Sequence, residues 1–124
     1  MKLLTVDDSK MVHMLVKKAL ASYAIEVVTA GNGKEGVEKA TAENPDLILM
    51  DVNMPEMDGL EALAALRAQP ETAGIPVMLL TADGAAQSME QAFESGVTKY
   101  LTKPFDEPTL VTAVETILVL EKKA

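Results

Sequence analysis

An open parallel α/β sheet of five βα units is the fold class predicted by this 124-residue chain. Three observations point to it. Short apolar runs of strand length alternate with stretches of helical period, and two of those runs are apolar at successive positions, as strands covered on both faces are. No stretch between them is long enough to form a linker, and no sequence repeat or low-complexity segment interrupts the alternation. Connections this short force right-handed crossovers between parallel strands.

The strands fall at Lys2–Val6, Glu26–Thr29, Leu47–Met50, Pro76–Leu80 and Lys99–Thr102. Ser9 is placed to cap a first helix over Lys10–Ser22, and a second, Lys34–Ala42, stops before Asn44-Pro45. A third, Leu60–Gln69, ends at Pro70, and a fourth spans Ala85–Ser95 before Gly96. The last begins after Asp106-Glu107-Pro108, with acids at its positive end, and is expected to finish on Lys122-Lys123. Its Leu110, Val114, Ile117 and Leu118 have core spacing, while Val111, Val119 and Leu120 widen the apolar arc toward a docking or dimer face.

Composition excludes several functions. Eleven basic residues against 19 acids give a net charge of −8, which repels nucleic-acid backbones and anionic membranes alike. The absence of cysteine removes disulfides, thiolate nucleophiles and Cys-type zinc sites. Leu3-Leu4-Thr5-Val6 is too short for a signal-peptide core, and no apolar run approaches a membrane span, so a cytoplasmic protein is expected. The length suits one domain over residues 1–124.

In such sheets ligands bind beyond the carboxyl ends of the strands. Asp7-Asp8 follows the first strand, Asp51 the third and Lys103 the fifth, while Thr81 closes the fourth. An acidic pocket with one fixed cation beside it suits a divalent metal and a phosphoryl group.

The segments Val6-Asp7-Asp8-Ser9, Leu49-Met50-Asp51-Val52-Asn53-Met54-Pro55-Glu56-Met57-Asp58-Gly59, Leu80-Thr81-Ala82 and Tyr100-Leu101-Thr102-Lys103-Pro104-Phe105 resemble, in order and spacing, the signature set of response regulator receiver domains, the CheY-like family. The resemblance implies a doubly wound, flavodoxin-like sheet of order 2-1-3-4-5 with five helices. It makes Asp51 the phosphoacceptor for a sensor histidine kinase or phosphotransfer protein. Asp7, Asp8, Asp51 and the Asn53 carbonyl become the protein ligands of Mg²⁺, directly or through water. Lys103 and the Ala82 amide would contact the phosphoryl oxygens, with the bond to Pro104 cis by family similarity. Thr81 and Tyr100 would form the switch that alters the surface around the fourth helix, the fifth strand and the last helix, where a downstream effector binds. Asn53 and Asp83 would border the line of water attack.

The resemblance thus implies a stand-alone regulator of chemotaxis or phosphorelay type, monomeric or dimerising on phosphorylation, without turnover of an external substrate. A phosphorylation-independent scaffold of the same fold is the binding-module alternative. A haloacid dehalogenase-like phosphatase would carry its nucleophile after the first strand as Asp-x-Asp, a spacing that Asp7-Asp8-Ser9-Lys10 lacks. Gly31-Asn32-Gly33-Lys34-Glu35-Gly36 matches a dinucleotide fingerprint, but it follows strand two, away from the switch point, and reads as a turn in which Gly36 packs closely. His13, the lone histidine, reads as surface or structural, and the methionines as core filling, with Met54 and Met57 beyond Asp51 as a cover.

Overall fold

The structure is a computed structural model that describes residues 1–51, 59–81, 99–102 and 105–122, with the backbone alone at 59–60, 81, 99–100 and 102. The elements run β1 (Lys2–Val6), α1 (Lys10–Leu20), β2 (Glu26–Ala30), α2 (Gly33–Glu43), β3 (Leu47–Asp51), α3 (Gly59–Ala68), β4 (Val77–Thr81), β5 (Lys99–Thr102) and α4 (Glu107–Glu115). The strands form one sheet in the order β2-β1-β3-β4-β5, and every pairing is parallel. Four helices lie among the described residues against five expected; the helix over 85–95 falls outside them.

Alternation along the strands builds two cores. Leu4, Val6, Ile48, Met50, Val77 and Leu79 face one way and pack with Ala40 of α2 and Ala62, Leu63 and Leu66 of α3. Leu3, Leu47, Leu49, Met78, Leu80 and Leu101 face the other way, against Val16 and Leu20 of α1 and Leu110 and Val114 of α4. Burial on both sides explains why β3 is apolar at consecutive positions.

The helix starts follow local chemistry. Ser9, Asn32 and Asp106 each accept a backbone N–H of the first turn, from Val12 (3.4 Å), Glu35 (2.8 Å) and Thr109 (2.9 Å). Asn44 ends α2 in the left-handed region at φ 49°, just before Pro45 halts the helix.

The last helix is shorter than expected: α4 stops at Glu115, not at Lys122-Lys123. Val111, Thr112, Val114, Thr116, Ile117 and Val119 crowd it with β-branched side chains of low helix propensity. The Thr116 hydroxyl donates to Ala113 O at 2.6 Å, and Ile117 N turns to Val114 O at 3.0 Å. The chain then crosses to the α1–β2 connection, where Ala24 N donates to Glu121 O (2.6 Å) and Tyr23 bridges Lys122 antiparallel. The expected apolar arc is correspondingly reduced. Val111 and Leu120 pack against the core, and of the three only Val119 is strongly exposed.

Candidate functional site

Sheet register decides what meets at the carboxyl edge. Val6 pairs with Met50, so Asp7, the next residue of its strand, comes level with Asp51, the last residue of β3. Asp7 continues the ladder on its other side by donating its N–H to Ala30 O at 3.1 Å. Asp51 pairs with Leu80, which puts Thr81 one residue further along the neighbouring strand, and Thr81 pairs with Thr102. Tyr100 pairs with Leu79, two residues behind Thr81. Asn53, Met54, Met57, Ala82, Asp83, Lys103 and Pro104 lie outside the described residues.

Asp7, Asp8 and Asp51 converge, each presenting a carboxylate oxygen within 4.8 Å of the others. Asp7 is fully buried, Asp51 is 7% exposed and Asp8 is open to solvent. The Asp7 carboxylate is oriented by the strand-to-helix turn itself, because Ser9 N donates to its Oδ1 at 2.9 Å. Sequence reading found the three acids but missed this anchor. An Asp two residues before a Ser cap was the available signal.

Three carboxylates this close repel one another, and two of them are shielded from water, so a multivalent cation is the natural complement. The donor set fits Mg²⁺ in kind and size. All three donors are hard oxygens, and oxygens on an octahedral Mg²⁺ at about 2.1 Å lie roughly 3.0–4.2 Å apart, inside the observed limit. Three side chains at the carboxyl ends of two strands also leave positions for water and a phosphoryl group.

The glycine-rich segment after β2 is occupied by its own side chain. Glu35 folds back so that its Oε2 accepts Gly31 N at 3.1 Å while Oε1 pairs with Lys39 at 3.3 Å. The Gly31 amide, then Lys39, hold the Glu35 carboxyl below its usual range, so an anion stands where a dinucleotide phosphate would have to bind. Gly36 serves packing instead: a Cβ there would lie 2.8 Å from both Val6 methyls.

The sequence matches a family model described as the response regulator receiver domain over residues 3–115. It is 46% identical over 105 residues, 84% of this chain and 30% of the relative, to a protein-glutamate methylesterase/protein-glutamine glutaminase of Archaeoglobus fulgidus. It is 38% identical over 117 residues, 94% of this chain and 48% of the relative, to the DNA-binding dual master transcriptional regulator RpaA of Synechocystis. The chain therefore spans less than half the length of these curated relatives.

Among solved structures, the chemotaxis protein CheY4 of Vibrio cholerae superposes with a TM-score of 0.88 at 35% identity, covering 94% of this chain and 98% of that one. The receiver domain of the sensor histidine kinase PA1611 from Pseudomonas aeruginosa, with magnesium coordinated in its active-site cleft, gives 0.84 at 28% identity over 94% and 95%.

The fold is thus the CheY-like parallel α/β sheet, a class built to carry ligands at its carboxyl edge. This chain belongs to the response regulator receiver domain family, the phosphoacceptor modules of two-component signalling that act with histidine kinases and downstream effectors. Receiver domains bind Mg²⁺ at an acidic pocket, and the Asp7, Asp8, Asp51 cluster has the donors to do so. Among the described residues no helix is long and apolar enough to cross a membrane.

Proposed function

We propose that residues 1–124 form one receiver domain in which Asp51 accepts a phosphoryl group from a phosphohistidine donor. The observation that carries this is the convergence of Asp51, at the last position of a buried strand, with two further carboxylates at the same sheet edge. A carboxylate meets a polyanion poorly unless charge is neutralised, so positioning and electrostatics dominate the transfer.

Asp7, Asp8 and Asp51, with the Asn53 carbonyl, would hold Mg²⁺, which when bound supplies charge neutralisation for the incoming phosphoryl oxygens. An Asp51 carboxylate oxygen attacks phosphorus, the P–N bond to the donor imidazole breaks, and the imidazole nitrogen leaves to take up a proton. Asp51 is largely buried, and the Ser9 amide holds one oxygen of the Asp7 carboxylate. Lys103 pairs with the new charge, and the Ala82 amide and Thr81 hydroxyl donate to it. By family similarity Asn53 and Asp83 would border the line of water attack and set the lifetime.

Thr81 and Tyr100 would then carry the signal to the surface around the helix expected over residues 85–95, β5 and α4, where an effector binds. A hydrogen bond to a charged group contributes about 1.5–3 kcal/mol, whereas moving an equilibrium from 1:99 to 99:1 takes about 5.5 kcal/mol. Thr81 alone is therefore insufficient, and Lys103, Ala82 and a bound effector share the bias. The likeness to a chemotaxis protein supports a chemotaxis-type partner, and that to the receiver domain of a sensor histidine kinase supports a relay.

The test is intact-mass measurement after incubation with acetyl phosphate and Mg²⁺. A single phosphoryl adduct on the wild type and none on Asp51→Asn is expected. An adduct that persists in the variant, or is absent from the wild type, overturns the reading.

A further inference from the structure

Behind the acidic turn, two buried atoms lack what buried polar atoms need. Thr5 Oγ1 and His13 Nε2 are, among the described residues, the buried side-chain nitrogen and oxygen atoms with no hydrogen-bond partner. Thr5 itself is fully buried. Orphaned polar atoms in a native interior are uncommon, and each calls for a partner.

Strand alternation and helical spacing place both on the β1–α1 side of the sheet. Leu3, Thr5 and Asp7 alternate onto one face of β1, and Leu3 packs there against Val16 and Leu20 of α1. His13, Val16 and Leu20 follow the i, i+3, i+7 spacing, so His13 lies on the same inward stripe of α1. Depth agrees as well. The chain reverses at Asp8-Ser9, Thr5 lies two strand residues (~7 Å) behind Asp7, and His13 lies four helical residues (~6 Å) beyond Ser9. These rises put Thr5 and His13 at similar depth on the facing sides of β1 and α1, below the carboxylate cluster.

We propose that Thr5 Oγ1 and His13 Nε2 share one internal water, and that this polar node positions the turn bearing Asp7 and Asp8. A water molecule donates twice and accepts twice, so it satisfies a hydroxyl and an imidazole nitrogen whichever tautomer His13 adopts. It ties β1 to α1 where the two diverge from the turn. The Asp7 carboxylate is fixed to that turn through Ser9 N, and slack between the elements would loosen the metal ligands together. This second half rests on the Mg²⁺ reading above; the first does not.

The experiment combines three measurements. In the wild type, NMR cross-relaxation should connect one long-lived water to both the Thr5 methyl and a His13 ring proton. Contact with neither, or with one alone, overturns the node. Thermal melts of Thr5→Val, His13→Leu and the double variant should show each single change lowering Tm and the double falling no further than the worse single. An orphaned hydroxyl gives the opposite sign, since valine of the same shape would then raise Tm. Mg²⁺ titration should show severalfold weaker binding in Thr5→Val. Unchanged affinity with a lowered Tm keeps the node and removes its positioning role. A wild type that binds no Mg²⁺ overturns the metal site and leaves the node to the other two measurements.

Discussion

Asp7 is the residue whose chemistry is most constrained, being fully buried, hydrogen-bonded by Ser9 N and within reach of two other carboxylates. Asp7→Asn keeps an acceptor oxygen for the Ser9 amide but removes a charge from the cluster. Mg²⁺ affinity, read by titration, is therefore expected to fall on the order of tenfold or more while the fold persists. Gly36 is constrained for a different reason. An alanine methyl would meet both Val6 methyls at 2.8 Å, and Val6 belongs to a buried strand that cannot retreat freely. Gly36→Ala should lower stability by about 1–3 kcal/mol in urea unfolding. The same glycine in a dinucleotide site would be probed by cofactor binding, which Glu35 already blocks.

At the scale of elements, caps show where local sequence decides structure. Asn32 accepts Glu35 N at 2.8 Å, so Asn32→Ala should cost about 1 kcal/mol. Asp106 caps α4, and the hydroxyl and then the amide of Thr109 hold its carboxyl below the usual range. A carboxyl that is more acidic when folded contributes stability present above its unfolded pKa of roughly 4 and lost as pH falls through the lower folded value. Asp106→Asn retains the cap without the titration, so its melting temperature should decline less than that of the wild type between about pH 5 and pH 3. These signals made the starts of α1 and α2 legible within one residue and that of α4 within two. The end of α4 was not. Leu118 and Leu120 continue an apolar pattern that suits a helix, yet both are satisfied by packing from an irregular segment whose Glu121 carbonyl is taken by Ala24. Apolar periodicity reports burial, and helical hydrogen bonding only when propensity concurs.

For the whole molecule, the site was legible because parallel strands turn separate sequence positions into one edge. Asp7-Asp8 and Asp51 are over forty residues apart in the chain and meet only because β1 pairs β3 in a register that levels their ends. The backbone that orients them was harder to read: Ser9 N on Asp7 is signalled only by an Asp two residues before a Ser cap, and Ala30 O on the Asp7 amide by nothing at all, because any residue type offers a carbonyl. The same edge makes metal binding a property of the folded state. In the unfolded chain the acidic pair and Asp51 are not held together, so an ion that bridges them binds the native form and stabilises it by mass action. At a hundred times its dissociation constant such an ion adds about 2.7 kcal/mol, enough to raise Tm by several degrees in a domain of this size. Asp51→Asn removes one of the three carboxylates while leaving β3 and its pairing intact, so its Tm should respond to Mg²⁺ distinctly less than that of the wild type. Calorimetry across a Mg²⁺ series, with Na⁺ at matched ionic strength to separate screening from binding, checks this. An equal rise in both proteins would mean that the cation acts on the chain's net charge of −8 as a whole and not on the cluster.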